Sequence, residues 1–127
     1  MVDKPINNLL TGGIIDAAMK VHTALGAGLL ESAYEACLAF ELEKQGRMVA
    51  TQVRLPVLYE SVTIDAGYRI DMLVDDEVIV EIKAVETLIP VHEAQLLTYL
   101  KLSGKRIGLL INFNVPHLKN GIKRMVL

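Results

Sequence analysis

Residues 69–84, RIDMLVDDEVIVEIKA, constrain this chain more than any other segment. Two short apolar, β-branched stretches flank three consecutive acids, Asp75, Asp76 and Glu77, and the pattern reads as a β-hairpin. Side chains alternate along a strand. Arg69 and Asp71 therefore share one face, with Ile70, Met72 and Val74 on the other. In the second strand Ile79, Glu81 and Lys83 share a face, and Val78, Val80 and Ile82 take the other. A three-residue loop that sets Val74 opposite Val78 also sets Asp71 opposite Glu81 and Arg69 opposite Lys83, although the glycine such loops favour is absent. A slip of one residue destroys that alignment.

Facing carboxylates destabilise a strand pair, and partial burial raises the cost. A proton, a neighbouring cation such as Lys83, or a hard divalent ion bound through oxygen must compensate. Glu-x-Lys alone occurs on many exposed strands. The apolar surroundings in VIVEIKA argue against solvent-facing filler. Two readings stay open: a metal ligand pair with a cation beside it, or a salt-bridge cluster of Asp71, Glu81 and Lys83.

Helical periodicity frames this hairpin. The spacing of Ile14, Ile15, Ala18, Val21 and Leu25 predicts a helix over Asn8–Ala24, capped by Asn7 or Asn8 and ended by Gly26. A second helix is expected from Gly28 to about Gln45, with Leu30, Ala33, Tyr34, Cys37, Leu38 and Leu42 facing inward and Gly46 closing it. Residues 48–60, MVATQVRLPVLYE, read as extended chain broken by Pro56. VHEAQLLTYLKLSG returns to helical spacing between Pro90 and Gly104. RIGLLINF reads as a strand buried on both faces, and IKRMVL as a last edge strand. The order is α-α-β-β-β-β-α-β(-β), which gives a mixed central β-sheet flanked by helices in one α/β (α+β) domain over residues 1–127. On the third helix His92, Gln95 and Tyr99 form one stripe beside the apolar face. They are either hydrogen-bond partners for a lysine, carboxylate or phosphate, or a packed amphipathic edge.

Composition narrows the class. Apolar residues make up 52% of 127, enough for a core without disulfides. The single cysteine, Cys37, has no internal partner and reads as a small buried hydrophobe. No signal peptide and no long apolar run is visible, so a soluble, cytoplasmic protein without membrane partners is expected. The net charge is −2. It is unevenly spread, because all 15 acids precede residue 101 while Lys101, Lys105, Arg106, Lys119, Lys123 and Arg124 follow in a segment without acids. That segment is either a basic face for nucleic acid or a solvated surface that folds back among the acids.

Together these segments resemble a known group. GAGLLESAY resembles the signature of the GxxExxY proteins, at Gly28, Glu31 and Tyr34, and 67–104 and 108–116 resemble that family's central and C-terminal blocks. The family is placed in the PD-(D/E)XK nuclease superfamily, near the RecB-like, Q-x-x-x-Y type. The resemblance implies a restriction-endonuclease-like core and a metal-dependent nuclease acting on nucleic acid, expected to be DNA. It implies Asp71 as the superfamily's aspartate, Glu81 and Lys83 as its Glu-x-Lys pair, Gln95 and Tyr99 as its Q-x-x-x-Y element, and Glu31 as an acid from the first core helix. Mg²⁺ or Mn²⁺ would be held by Glu31, Asp71, Glu81 and the Ile82 carbonyl, with His22 as a further candidate. Two departures stand out: Ala27 replaces a proline frequent among relatives, and Ile70 stands where the superfamily name has proline. A nuclease-fold module without robust activity, binding nucleic acid or protein, or a homo-oligomer, remains the other expectation.

Overall fold

A computed structural model describes residues 7–127; residues 1–6 of the expected domain lie outside the described residues. Helix α1 spans Asn8–Leu25 and begins where Asn7 Oδ1 accepts the Leu10 N–H at 3.0 Å. It buries Leu10, Ile14, Ala17, Ala18 and Val21 along one stripe, and Gly26, at φ 70°, turns the chain out of the helix. Leu25, part of the apolar spacing, sits in the last turn past the packed face and is 42% exposed.

Helix α2 spans Glu31–Lys44, three residues later than expected. Gly28 has φ 100°, which no helix accommodates, and Leu30 is an extended N-cap residue, 77% exposed instead of inward. Tyr34, Leu38 and Leu42 form the buried face, while Ala33 and Cys37 are half-buried beside it.

The remaining elements are β1 (Val49–Arg54), β2 (Val57–Tyr59), β3 (Val62–Ile64), β4 (Arg69–Val74), β5 (Val78–Lys83), α3 (Pro90–Ser103), β6 (Ile107–Asn112), a 3₁₀ turn (Leu118–Gly121) and β7 (Ile122–Val126). Five strands form one mixed sheet in the order β1-β4-β5-β6-β7, with β5 and β6 parallel and the other neighbours antiparallel. Parallel neighbours need a crossover, and α3 supplies it. Helices α1 and α2 cover one face through Met72, Val74, Val78, Val80, Ile82, Leu109 and Ile111. Helix α3 covers the other through Leu96, Leu100, Ile79 and Leu110. All six residues of β6 are buried, as two covered faces require, and β7 is the edge strand.

Strand β3 was not expected. It pairs with β2 in a separate two-stranded sheet, through a turn in which Glu60 and Ser61 both have positive φ without a glycine to announce it. The β4–β5 hairpin forms with Val74 beside Val78, Leu73 beside Ile79 and Met72 beside Val80. Asp75 and Asp76 take the left-handed conformations at its tip, a role aspartate fills when glycine is absent. Pairing then stops. Arg69 lies beside Arg54 on β1 and Lys83 beside Asn112 on β6, so the expected Arg69–Lys83 pair is not formed. Alternation in β4 breaks at the same place: Met72 and Val74 pack on the α1/α2 side, whereas Ile70 packs on the α3 side.

Candidate active site

Where the β4–β5 ladder stops, side chains replace its rungs. The Asp71 N–H donates to Glu81 Oε2 at 2.8 Å, and the Ile82 N–H donates to Asp71 Oδ2 at 2.8 Å. A third carboxylate arrives from the first residue of α2: Glu31 Oε2 accepts the Ala84 N–H at 3.1 Å. Each of the three thus spends one oxygen on a backbone amide near the end of the β4–β5 pair. Asp71 and Glu31 line a cleft of about 220 Å³ with Ser32, Glu35, Gln52 and Ile82. Glu81, bonded to the Asp71 N–H, is 3% exposed and does not line it.

Burial pushes the Glu81 carboxyl up to about 8, and the charge of Asp71 adds to the shift; the Asp71 N–H and Lys83 pull the other way. Asp71 is also raised, first by burial and then by Glu31, against the Ile82 N–H, Lys83 and Gln52. Burial likewise raises Glu35. Two like charges this close do not both ionise freely, so the Asp71–Glu81 pair retains a proton near neutrality.

A polar chain runs up from the far side of the sheet. Lys83 Nζ donates to Gln95 Oε1 at 3.4 Å, and Gln95 Nε2 donates to the Tyr99 hydroxyl at 3.0 Å. The stripe read from helical spacing therefore meets Lys83. Tyr99 is buried, and its hydroxyl is raised by burial and then by the charge of Glu81.

Residues of the opening motif hold Glu31 in place. Tyr34 is fully buried, donates its hydroxyl to the Gly26 carbonyl at 2.6 Å and accepts the Leu29 N–H at 3.1 Å. Its ring stacks on Phe113 with centroids 4.4 Å apart. Together with the positive φ of Gly28, these bonds fix the loop that delivers Glu31 to Ala84.

Other expected site residues are not gathered there. His22 lines a different cleft, with Thr23, His117 and Lys119, and its Nε2 donates to the Val115 carbonyl at 2.8 Å. The six basic residues are dispersed. Strand β6 starts beside Val78, at the hairpin end, and Lys105 just before it pairs with Asp76 at 3.0 Å. Arg106 sits beside Lys105, Lys101 lies in the last turn of α3, and Arg124 bonds Asn8 at 2.6 Å. Lys119 and Lys123 follow the other end of β6, where Asn112 neighbours Lys83.

Three polar residues escaped the sequence reading. Glu35 lies one turn after Glu31, a like-charge i, i+4 pair that signals a shared face. Gln52 has φ 53° within β1 and donates to Glu35 Oε1 at 2.9 Å; no sequence signal marks it. Asn112 is buried, accepts the Val85 N–H at 3.1 Å and donates to the Val85 carbonyl at 2.9 Å, fixing the segment just after Lys83.

The cleft is lined by the carboxylates of Glu31, Glu35 and Asp71 beside the Ser32 hydroxyl and the Gln52 amide, and oxygen donors of this kind are what hard divalent cations take. Among the described residues no three His, Cys, Asp or Glu side chains already converge as a metal cage. The raised Asp71 and Glu81 nevertheless mark a site short of positive charge, and their chemistry fits such a cation. Among the described residues no helix is long and apolar enough to cross a membrane. A family model of the PD-(D/E)XK nuclease superfamily matches residues 8–125, nearly the whole chain. No curated protein and no solved structure matches it.

Proposed function

The chain belongs to the PD-(D/E)XK nuclease superfamily, and on that footing we propose that it is a GxxExxY-type nuclease that hydrolyses phosphodiester bonds of nucleic acid, DNA in the first place, with Mg²⁺ or Mn²⁺. Its sheet and flanking helices are consistent with a restriction-endonuclease-like fold acting as one domain. The observation that carries the reading is the set of three carboxylates, Glu31, Asp71 and Glu81, each tied by one oxygen to a backbone amide around Lys83.

Glu31, Asp71 and Glu81, with the Ile82 carbonyl, hold the cation through oxygen. Once bound, such an ion neutralises phosphate charge and lowers the pKa of a bound water. The backbone amides of Asp71, Ile82 and Ala84 keep the carboxylates oriented. Lys83 brings an ammonium to the phosphate and stabilises charge that develops during displacement. Gln95 fixes Lys83, and Tyr99 fixes Gln95.

The test is cleavage of plasmid and of single- and double-stranded oligonucleotides with Mg²⁺, Mn²⁺ or EDTA. Cleavage is expected only with the metals, and is expected to be lost in Lys83→Ala and Asp71→Asn. The asparagine keeps an acceptor for the Ile82 N–H, so its loss reads chemistry and not folding. Activity that survives both substitutions refutes the assignment. Salt-sensitive nucleic-acid binding without cleavage identifies a non-catalytic module instead.

A further inference from the structure

On the α3 side of the sheet lies a second cleft, of about 420 Å³, and its lining is of another kind. Tyr68, Val91, His92, Ala94, Gln95, Thr98 and Tyr99 form it, with no carboxylate, lysine or arginine. Two tyrosines meet there at an angle of 59°, ring centroids 6.1 Å apart. Tyr99 is 4% exposed, whereas Tyr68 is 44% exposed. One ring is therefore a fixed brace and the other is open to a partner. The polar groups around them are uncharged or weakly basic: the Thr98 hydroxyl, the Gln95 amide and the His92 ring, which is held by the Ile89 N–H at Nδ1, 3.1 Å away.

This cleft shares no lining residue with the acidic cleft and is joined to the proposed site by hydrogen bonds through Lys83. Gln95 lines it while bonding Lys83, and Tyr99 lines it while bonding Gln95. Charge is thus sorted across one short span, with carboxylates and a lysine on one side and a neutral aromatic slot on the other. Nucleic acid carries the same division, an anionic backbone and flat, uncharged bases. A base inside a duplex is already stacked on both faces and cannot enter such a slot. An unpaired base can stack on an exposed aromatic ring and use its edge for hydrogen bonds.

We propose that the Tyr68 cleft receives an unpaired nucleobase next to the scissile phosphate, which makes unpaired nucleic acid the preferred substrate. The inference rests on the nuclease reading and specifies its substrate. Tyr68 supplies the stacking face, Tyr99 braces it, and Thr98 and His92 meet the base edge.

Fluorescence anisotropy in EDTA at low salt tests it, using a labelled mixed-sequence strand, the matching duplex, and the same strand with abasic sites. The intact strand is expected to bind more tightly than the duplex and than the abasic strand. Tyr68→Ala is expected to weaken strand binding about tenfold, the size of one lost base–aromatic stack, and to leave duplex binding unchanged. Tyr68→Phe is expected to retain wild-type affinity. A strand bound no tighter than the duplex, an abasic strand bound as well as the intact one, or equal losses on both substrates in Tyr68→Ala overturns the proposal. The abasic comparison uses the unaltered protein, so it decides even if the alanine variant folds poorly. Strand preference without cleavage in Mn²⁺ removes the nuclease reading and leaves the base slot standing. Metal-dependent cleavage with no strand preference does the reverse.

Discussion

Replacing Glu81 with glutamine is expected to stabilise the metal-free protein, and by an amount that grows with pH. Glu81 is 3% exposed and its carboxyl is pushed from 4.5 up to about 8, first by burial and then by Asp71. A carboxyl raised by folding is favoured in its protonated form. The unfolded chain ionises first as pH climbs past 4.5, and from there the native state loses ground until the folded group itself ionises near 8. Each pH unit between those two values is worth about 1.4 kcal/mol. The loss is therefore ~3 kcal/mol at neutral pH and ~5 kcal/mol above the folded value, as an upper bound for a coupled pair. Glutamine is close in shape to the protonated acid and keeps an oxygen for the Asp71 N–H, which donates to Glu81 Oε2 at 2.8 Å. Urea unfolding in EDTA, followed by circular dichroism at about pH 5 and about pH 8.5, measures the effect. The glutamine variant should match the wild type within about 1 kcal/mol at the acid end and exceed it by ~3–5 kcal/mol at the alkaline end. Added Mn²⁺ should narrow the gap, because a cation at the carboxylates supplies the missing charge. Parallel stability curves for the two proteins at both pH values would refute the argument, because they would mean that Glu81 ionises in the native state as freely as in the unfolded one.

Lys83→Met should change stability by less than about 1 kcal/mol, because Lys83 is half-buried with one long hydrogen bond. The same substitution should lower single-turnover cleavage by ~10²–10³, the size of one lost charge-stabilising group. Tyr34→Phe removes the hydroxyl that the Gly26 carbonyl and the Leu29 N–H share, in a part-buried setting that water can reach. It should cost about 1 kcal/mol in urea unfolding, and calorimetry should show weaker Mn²⁺ binding because Glu31 loses its fixed approach. Lys119→Ala should reduce the salt dependence of strand binding by about 0.7 in log–log slope. Lys105→Ala, at the hairpin end and paired with Asp76, should leave that slope unchanged.

The hairpin and its register were legible because a period of two, three acids at the tip and a single apolar alignment left little freedom. Gln95 and Tyr99 were legible as a stripe because four residues make about one helical turn. The break at Asp71 was not legible. Alternation presumes an uninterrupted ladder, and nothing in RIDMLV says that two side chains will take over the backbone bonds. Its consequences were hidden with it: Ile70 packs on the opposite side from Met72, and Gln52, at φ 53°, turns in to bond Glu35. Glu35 itself was legible and overlooked. His22, a candidate through the resemblance, and the basic segment, open between two readings, are placed by the fold in ways that neither a signature nor a tally of charge conveys. His22 precedes Glu31 by nine residues yet faces another cleft. Lys105 and Lys119 share a charge and sit toward opposite ends of β6.

The ladder breaks where the acids are for a physical reason. A strand pair that ran on past Met72–Val80 would leave Asp71 and Glu81 as facing like charges, which a sheet disfavours. Opening the pair turns each carboxylate toward a backbone amide, so that the Asp71 and Ile82 N–H groups, deprived of carbonyl partners, find carboxylate ones. Hydrogen bonds to an ionised acceptor are stronger than neutral ones, and this offsets part of the lost pairing. A carboxylate has two oxygens, however, and the amide takes only one. The fold thus satisfies its own backbone with one oxygen of each acid, and the second is left to side chains, as Gln52 beside Asp71, or to a ligand. The residual cost appears as the raised Asp71 and Glu81 values. Under the proposed function a divalent cation would remove this cost, and the strain at the strand end and the affinity for that cation would then have one origin.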